Sequence, residues 1–175
     1  MNTKTKKLST VSMVLCGMFA ALVAIGAFIQ IPVPYMDYFT LQFFFVLLAG
    51  LILGADKGAI SVGCYVLLGL VGVPIFAAGG GIGYIFRPSF GYLVGFIVSA
   101  YVTGKVCEKL KASYKNYLLA CLAGFVVTYA IGIVYKFIIL NFYAHTPATL
   151  GVIFLSCFPL DMPGDFVLCL LAAGV

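Results

Sequence analysis

Charge is what this chain has least of. Asp, Glu, Lys and Arg make up 9% of its 175 residues, against 64% hydrophobic. That scarcity excludes a soluble domain, because 175 residues cannot hide so much apolar surface from water. There is one histidine, His145, and one arginine, Arg87. The six cysteines contain no C-x-x-C pair. A metal centre or a disulfide framework is therefore not expected, and the cysteines read as small buried side chains. No Gly-Lys-Ser/Thr phosphate loop occurs, so the chain is not expected to hydrolyse ATP. The glycines at 79–83 follow no strand pattern, which removes a dinucleotide site. An intramembrane enzyme would need a nucleophile–base pair or a metal cluster, and a single histidine at a loop position with no acidic cluster argues against it. No enzymatic activity and no cofactor are expected.

What remains is apolar runs punctuated by Pro, Gly and charge. They fall at about 10–31, 39–54, 59–77, 88–104, 117–140 and 148–175. A bilayer core takes about 20 helical residues, so most qualify and the second and fourth are short. The first run is too long for the apolar part of a signal peptide and reads as a retained span. The expected fold is an all-α integral membrane protein with six transmembrane helices. It forms a single domain over residues 1–175 with a basic tail at 1–9. Residues 148–158 are expected to form a short extra helix against the outer surface, and the last span to start near Pro163 or slightly before.

The net charge of +5 is not a nucleic-acid signal. Lys4, Lys6 and Lys7 precede the first run, and Lys105, Lys109, Lys111 and Lys115 cluster between two others. This is the distribution of the positive-inside rule. It puts both termini, the 55–58 turn and the 105–116 loop in the cytoplasm, and the 32–38, 78–87 and 141–162 loops outside. Arg87, Tyr84, Asp37, Asp161 and Asp165 then gather at the outer end.

A lone cation among glycines and aromatics near a membrane needs an anionic partner or a water-filled cavity. Glycine-rich irregular backbone at membrane depth is tolerated only where protein buries it or it lines a cavity. Arg87 and the glycines at 79–81, Gly81 included, therefore read as a binding site. Asp165 follows Pro163-Gly164 and is either a ligand carboxylate, a helix-initiation residue or the ion-pair partner of Arg87. Lys136 either snorkels from the outer end of the fifth run or meets a ligand carboxylate. Gln42 and Thr40, at the outer start of the second helix, are ligand contacts or interhelical hydrogen bonds. Tyr84, Tyr92, Phe86, Phe90, Tyr35 and Tyr38 form an aromatic group there, as belt residues or as ligand walls. On the first helix, Cys16, Ala20 and Ala24 make a small-residue stripe, and Gly17 and Ala21 a parallel one. Such stripes allow close helix approach, within the chain or to another membrane protein.

Thr40-x-Gln42, then Val46-Leu47-Leu48-Ala49-Gly50-Leu51-x-Leu53-Gly54, resembles the second helix of the BioY biotin transporters. The match runs on through Gly58-Ala59, Tyr65, Leu68-Gly69, Gly72-x-Pro74-x-Phe76 and the glycines at 79–81. It continues in Pro88-Ser89-Phe90-Gly91-Tyr92-Leu93-x-Gly95-Phe96 and resumes at Pro163-Gly164-Asp165. The resemblance implies a substrate-binding S component of an energy-coupling factor transporter, in a bacterial plasma membrane. It implies biotin captured from outside, with the Gly-rich loop and Asp165 helping to form the vitamin site. A transmembrane coupling protein would dock on Ala20 and Ala24, and two ATPase subunits would supply the energy. An S component for a different vitamin or small anionic nutrient is the alternative. Two departures stand out. Arg-Pro-Ser replaces the frequent Gly-Pro-Thr, and the Lys that many members carry three residues after the Asp is here Leu168, leaving Lys136 as the candidate replacement. The chemistry agrees: biotin needs a cation for its carboxylate, apolar walls, and an acceptor for its ureido N–H groups. Arg87 or Lys136, the aromatic group, and Asp165 or Gln42 offer these.

Overall fold

The computed structural model describes residues 9–32, 38–144, 146, 148–157 and 161–175. Lys4, Lys6, Lys7, Tyr35, Asp37, His145 and Pro159 lie outside these residues, as does the side chain of Tyr38.

Helix α1 (Thr10–Phe28) starts where the Ser9 hydroxyl accepts the Ser12 N–H at 3.2 Å, satisfying one of the free donors of the first turn. After its C-terminal end the chain makes a small antiparallel hairpin, β1 (Gln30–Pro32) and β2 (Tyr38–Thr40), with Ile31 opposite Phe39. These two three-residue strands are an addition to an otherwise helical fold. The hairpin pairs backbone groups that would otherwise need partners beside a membrane.

Helix α2 (Gln42–Leu53) is shorter than the run that suggested it. Its 12 residues span only about 18 Å. It contacts α1, α3, α4, α5 and α7, and Phe43, Val46, Leu47 and Ala49 are fully enclosed. A helix apolar on all sides belongs in the interior, and α2 is the centre of the core. Gly54, at φ +81°, reverses the chain directly into α3 (Ala55–Val71), a conformation costly for any residue with a Cβ.

The loop 72–89 holds a 3₁₀ turn (Ile82–Phe86) and leads into α4 (Phe90–Lys109). Helix α5 (Tyr114–Ile138) returns and continues as a π turn to Tyr143. Helix α4 runs past its expected end at 104, and α5 with its π turn exceeds both bounds of 117–140. They pack antiparallel along a seam where Gly95 lies against the Thr128 backbone and Gly124 faces the Ser99 and Thr103 hydroxyls. The Thr103 hydroxyl donates to the Ala120 carbonyl at 3.3 Å. Helix α6 (Leu150–Cys157) is the expected short extra helix, and α7 (Asp161–Gly174) follows at a 52° bend.

Among the described residues, three helices are long and apolar enough to cross a membrane: α1, α4, and α5 with its π turn. The bent pair α6 and α7 makes a fourth if taken as one span. The outer surface carries the exposed apolar side chains expected of lipid contact, such as Val14, Met18 and Ile25 on α1 and Val126 and Val134 on α5.

Candidate functional site

A cavity opens where the β1–β2 hairpin, the start of α2, the 72–89 loop, the first turns of α4 and α7 and the C-terminal part of α5 converge. About 110 Å³ of it is open to the centres of water-sized molecules. Each wall follows from its element. Thr40, Gln42 and Phe43 come from the chain entering α2, and Tyr84 and Ser89 from the glycine-rich loop and its exit. Tyr92, Leu93 and Phe96 lie on one face of α4, at i, i+1 and i+4. Tyr129 and Lys136 lie two turns apart on α5, and Asp161 and Asp165 one turn apart on α7.

Asp165 is buried, with 9% of its surface exposed, and accepts a hydrogen bond from the Tyr129 hydroxyl at 2.8 Å. It sits in the second turn of α7 rather than at the helix start, because α7 begins at Asp161. Gln42 is also buried and is already engaged. Its amide donates to the Tyr65 hydroxyl, and its carbonyl oxygen accepts from Thr40 Oγ1 at 3.2 Å. Tyr65 in turn donates to the Ile75 carbonyl at 3.1 Å, so Gln42 ties the cavity floor to the loop above it. An amide has spare capacity beyond these bonds: one N–H and one lone pair remain.

Lys136 is half-buried, lines the cavity, and has its ammonium 3.4 Å from the Ser156 hydroxyl of α6. It is the lysine that shares the cavity with Asp161 and Asp165. The α4 side has a second link to α6, from the Tyr92 hydroxyl to Cys157 Sγ at 3.0 Å.

Arg87 stands outside the cavity wall. Arg87 is exposed and is absent from the lining, and Asp165 has Tyr129 as its hydrogen-bond partner. The guanidinium lies 5.4 Å above the Tyr84 ring, a cation–π arrangement. The 3₁₀ turn ends at Phe86, so Arg87 takes extended backbone before Pro88 and its side chain stays at the rim. Tyr84 itself is buried against Phe76, ring centroids 4.6 Å apart, and does line the cavity. Gly81 does not line it. Its φ of +101° and its N–H bond to the Gly69 carbonyl at 2.7 Å set the path of the loop that carries Tyr84.

The docking residues separate as well. Ala20 is only 7% exposed and packs inside the chain, because its stripe faces α3, where the Ser61 hydroxyl donates to the Cys16 carbonyl at 2.6 Å. Ala24 is half-buried, and the exposed small residues of α1 are Gly17 and Ala21. Asp161, expected at this end of the bundle, lines the wall with Asp165, whereas Tyr129 was not anticipated. Its signal in the sequence is its place seven residues before Lys136, a spacing that shares a helix face. Among the described residues, no group of three or more His, Cys, Asp or Glu side chains could hold a metal ion.

Fold and site together define a helical membrane protein with a solute-sized, partly polar cavity at one end of its bundle. The chain belongs to the BioY family, whose family model matches residues 1–175. It is 40% identical over 169 residues to a protein named probable biotin transporter BioY from Lysinibacillus sphaericus, covering 96% of this chain and 86% of that one. It is 45% identical over 130 residues to the biotin transporter BioY of Thermotoga maritima, covering 74% and 73% respectively. The fold matches the crystal structure of the S-component for biotin from an ECF-type ABC transporter, with a TM-score of 0.82. That match covers 99% of this chain and 91% of the other at 24% identity.

Proposed function

We propose that this chain is a multi-pass plasma-membrane S component that binds biotin from the extracellular side for uptake. In this reading it crosses the membrane six times with both termini cytoplasmic. The short α2 and α3 count as spans because neighbouring helices, rather than lipid, surround α2. The observation that carries the reading is the cavity of a BioY family member, lined by one lysine, two carboxylates and aromatic side chains.

The roles follow from charge. Biotin's anionic valerate would be repelled by Asp161 and Asp165, so its carboxylate belongs at Lys136. A carboxylate accepts N–H donors, so the ureido group belongs at Asp165, whose second oxygen is not used by Tyr129. Tyr84, Tyr92 and Phe96 cover the apolar rings. Thr40 and Gln42 shape the floor and offer one amide donor. Arg87 at the rim draws an anion toward the mouth by its field, and Gly81 holds the loop. Energy comes from a separate transmembrane coupling protein and two ATPase subunits. The coupling protein docks on the exposed face of α1, on Gly17 and Ala21 beside Ala24, with the buried Ala20 supporting that helix from behind.

Calorimetry of the purified chain in detergent tests the reading. Biotin should bind one-to-one, and riboflavin or thiamine should not. Asp165→Asn removes a charge-assisted contact, typically about 1.5–3 kcal/mol, and should weaken binding by roughly tenfold to over a hundredfold. A folded, monodisperse chain that ignores biotin would sink the assignment.

A further inference from the structure

The end of the bundle opposite the cavity carries a charge pattern that the binding function leaves unused. Four lysines fall within eleven residues around the α4–α5 turn: Lys105, Lys109, Lys111 and Lys115, all exposed. The acidic residue among them, Glu108, is committed elsewhere. Its Oε1 accepts the Ala55 N–H at 3.0 Å and its Oε2 holds Lys105 at 3.4 Å. Lys109, Lys111 and Lys115 make no ion pair among the described residues. The turn that presents them is fixed, because the Asn116 amide donates to the Lys111 carbonyl at 2.8 Å and Glu108 clamps α4 to the start of α3. Between the lysines stand two exposed apolar groups, Leu110 and Tyr114.

Depth fixes what this patch meets. Helix α4 has 20 residues and so spans about 30 Å, the thickness of the hydrocarbon core. Lys109 at its end, and the turn beyond, therefore lie in the headgroup layer. Clustered lysines at that level attract anionic headgroups, while a leucine and a tyrosine suit the boundary with the acyl chains.

We propose that the α4–α5 turn binds an anionic phospholipid, its phosphate among Lys109, Lys111 and Lys115 and its glycerol end against Leu110 and Tyr114. The site rests on the membrane placement proposed above and is independent of biotin. Native mass spectrometry of the purified chain, offered equal dioctanoyl phosphatidylglycerol and dioctanoyl phosphatidylcholine, tests it. The wild-type chain should retain the anionic lipid in preference. Replacing all three residues, Lys109→Gln with Lys111→Gln and Lys115→Gln, should cost roughly a hundredfold in its affinity, about fivefold per lysine. The matching Lys→Arg triple variant should keep it. Biotin titration of the same samples reports folding and the separate function. If the triple variant does not fold, the single variants still read the fivefold steps. Equal retention of the two lipids, unchanged retention in the Gln variants, or displacement of the lipid by inorganic phosphate alone would overturn the proposal.

Discussion

The hydrogen bond from Tyr129 to Asp165 makes the sharpest claim on the site. Tyr129→Phe removes one oxygen and keeps the ring, which retains its contacts with Phe125 and Tyr92 at centroid distances of 4.7 and 5.8 Å. The loss falls on Asp165 Oδ2, a buried acceptor that the hydroxyl reaches at 2.8 Å. If Tyr129 holds the carboxylate in the orientation that receives biotin, the two residues act as one unit. A hydrogen bond to a charged group contributes about 1.5–3 kcal/mol, and a neutral one about 0.5–1.5. Tyr129→Phe should therefore weaken biotin clearly in the wild-type background and much less once Asp165 is Asn. The gap between the two backgrounds should be about 1 kcal/mol or more, a fivefold difference in the ratio of dissociation constants. Four titrations by calorimetry close the cycle: wild type, each single variant and the double. Effects that add within about 0.5 kcal/mol would refute the reasoning, because independent sites behave that way.

Three further outcomes follow. Lys136→Met should weaken biotin by about tenfold or more yet leave biotinamide, which lacks the carboxylate charge, nearly unchanged; equal losses for the two ligands would take Lys136 out of the site. Gly17→Leu with Ala21→Leu should leave biotin titrations intact and abolish co-purification with the coupling protein, whereas retained co-purification would move the docking face elsewhere. Gly54→Ala forces φ +81° on a residue with a Cβ at the α2–α3 turn. It should lower stability by about 1–2 kcal/mol, read as a lower thermal midpoint with unchanged biotin stoichiometry.

Apolar runs and lysine clusters made most of the helices legible, since hydropathy over a bilayer-length window is a strong signal. The length of α2 was not legible. Its run reads as a span that is slightly short, and only the packing reveals a helix enclosed by five others, α5 included. Asp165 stood out because a carboxylate after Pro-Gly in an apolar run demands a reason, and it lines the cavity. Arg87 demanded one equally and lies outside the wall, because flanking apolar residues do not report which way a loop side chain leaves the backbone. Tyr129 was invisible for the opposite reason: tyrosines are common in membrane helices, and its meaning lay in its spacing to Lys136. The two stripes on α1 looked equivalent until contact with α3 claimed the one containing Cys16 and Ala20.

The glycine seam between α4 and α5 has a mechanical consequence. Where Gly124 faces Ser99 and Thr103, the two helices touch backbone to side chain with nothing to compress. From Gly124 to Lys136 is about 18 Å along the helix axis, and the close approach persists over that length: a Cβ at Gly91 would meet the Tyr135 side chain, and one at Gly132 the Tyr92 ring. The two helices are thus zipped together from the seam to the cavity. The place of Tyr92 in the wall depends on a glycine that does not line the cavity, and a bulkier side chain at position 132 would push that ring and change what fits without altering a single wall residue.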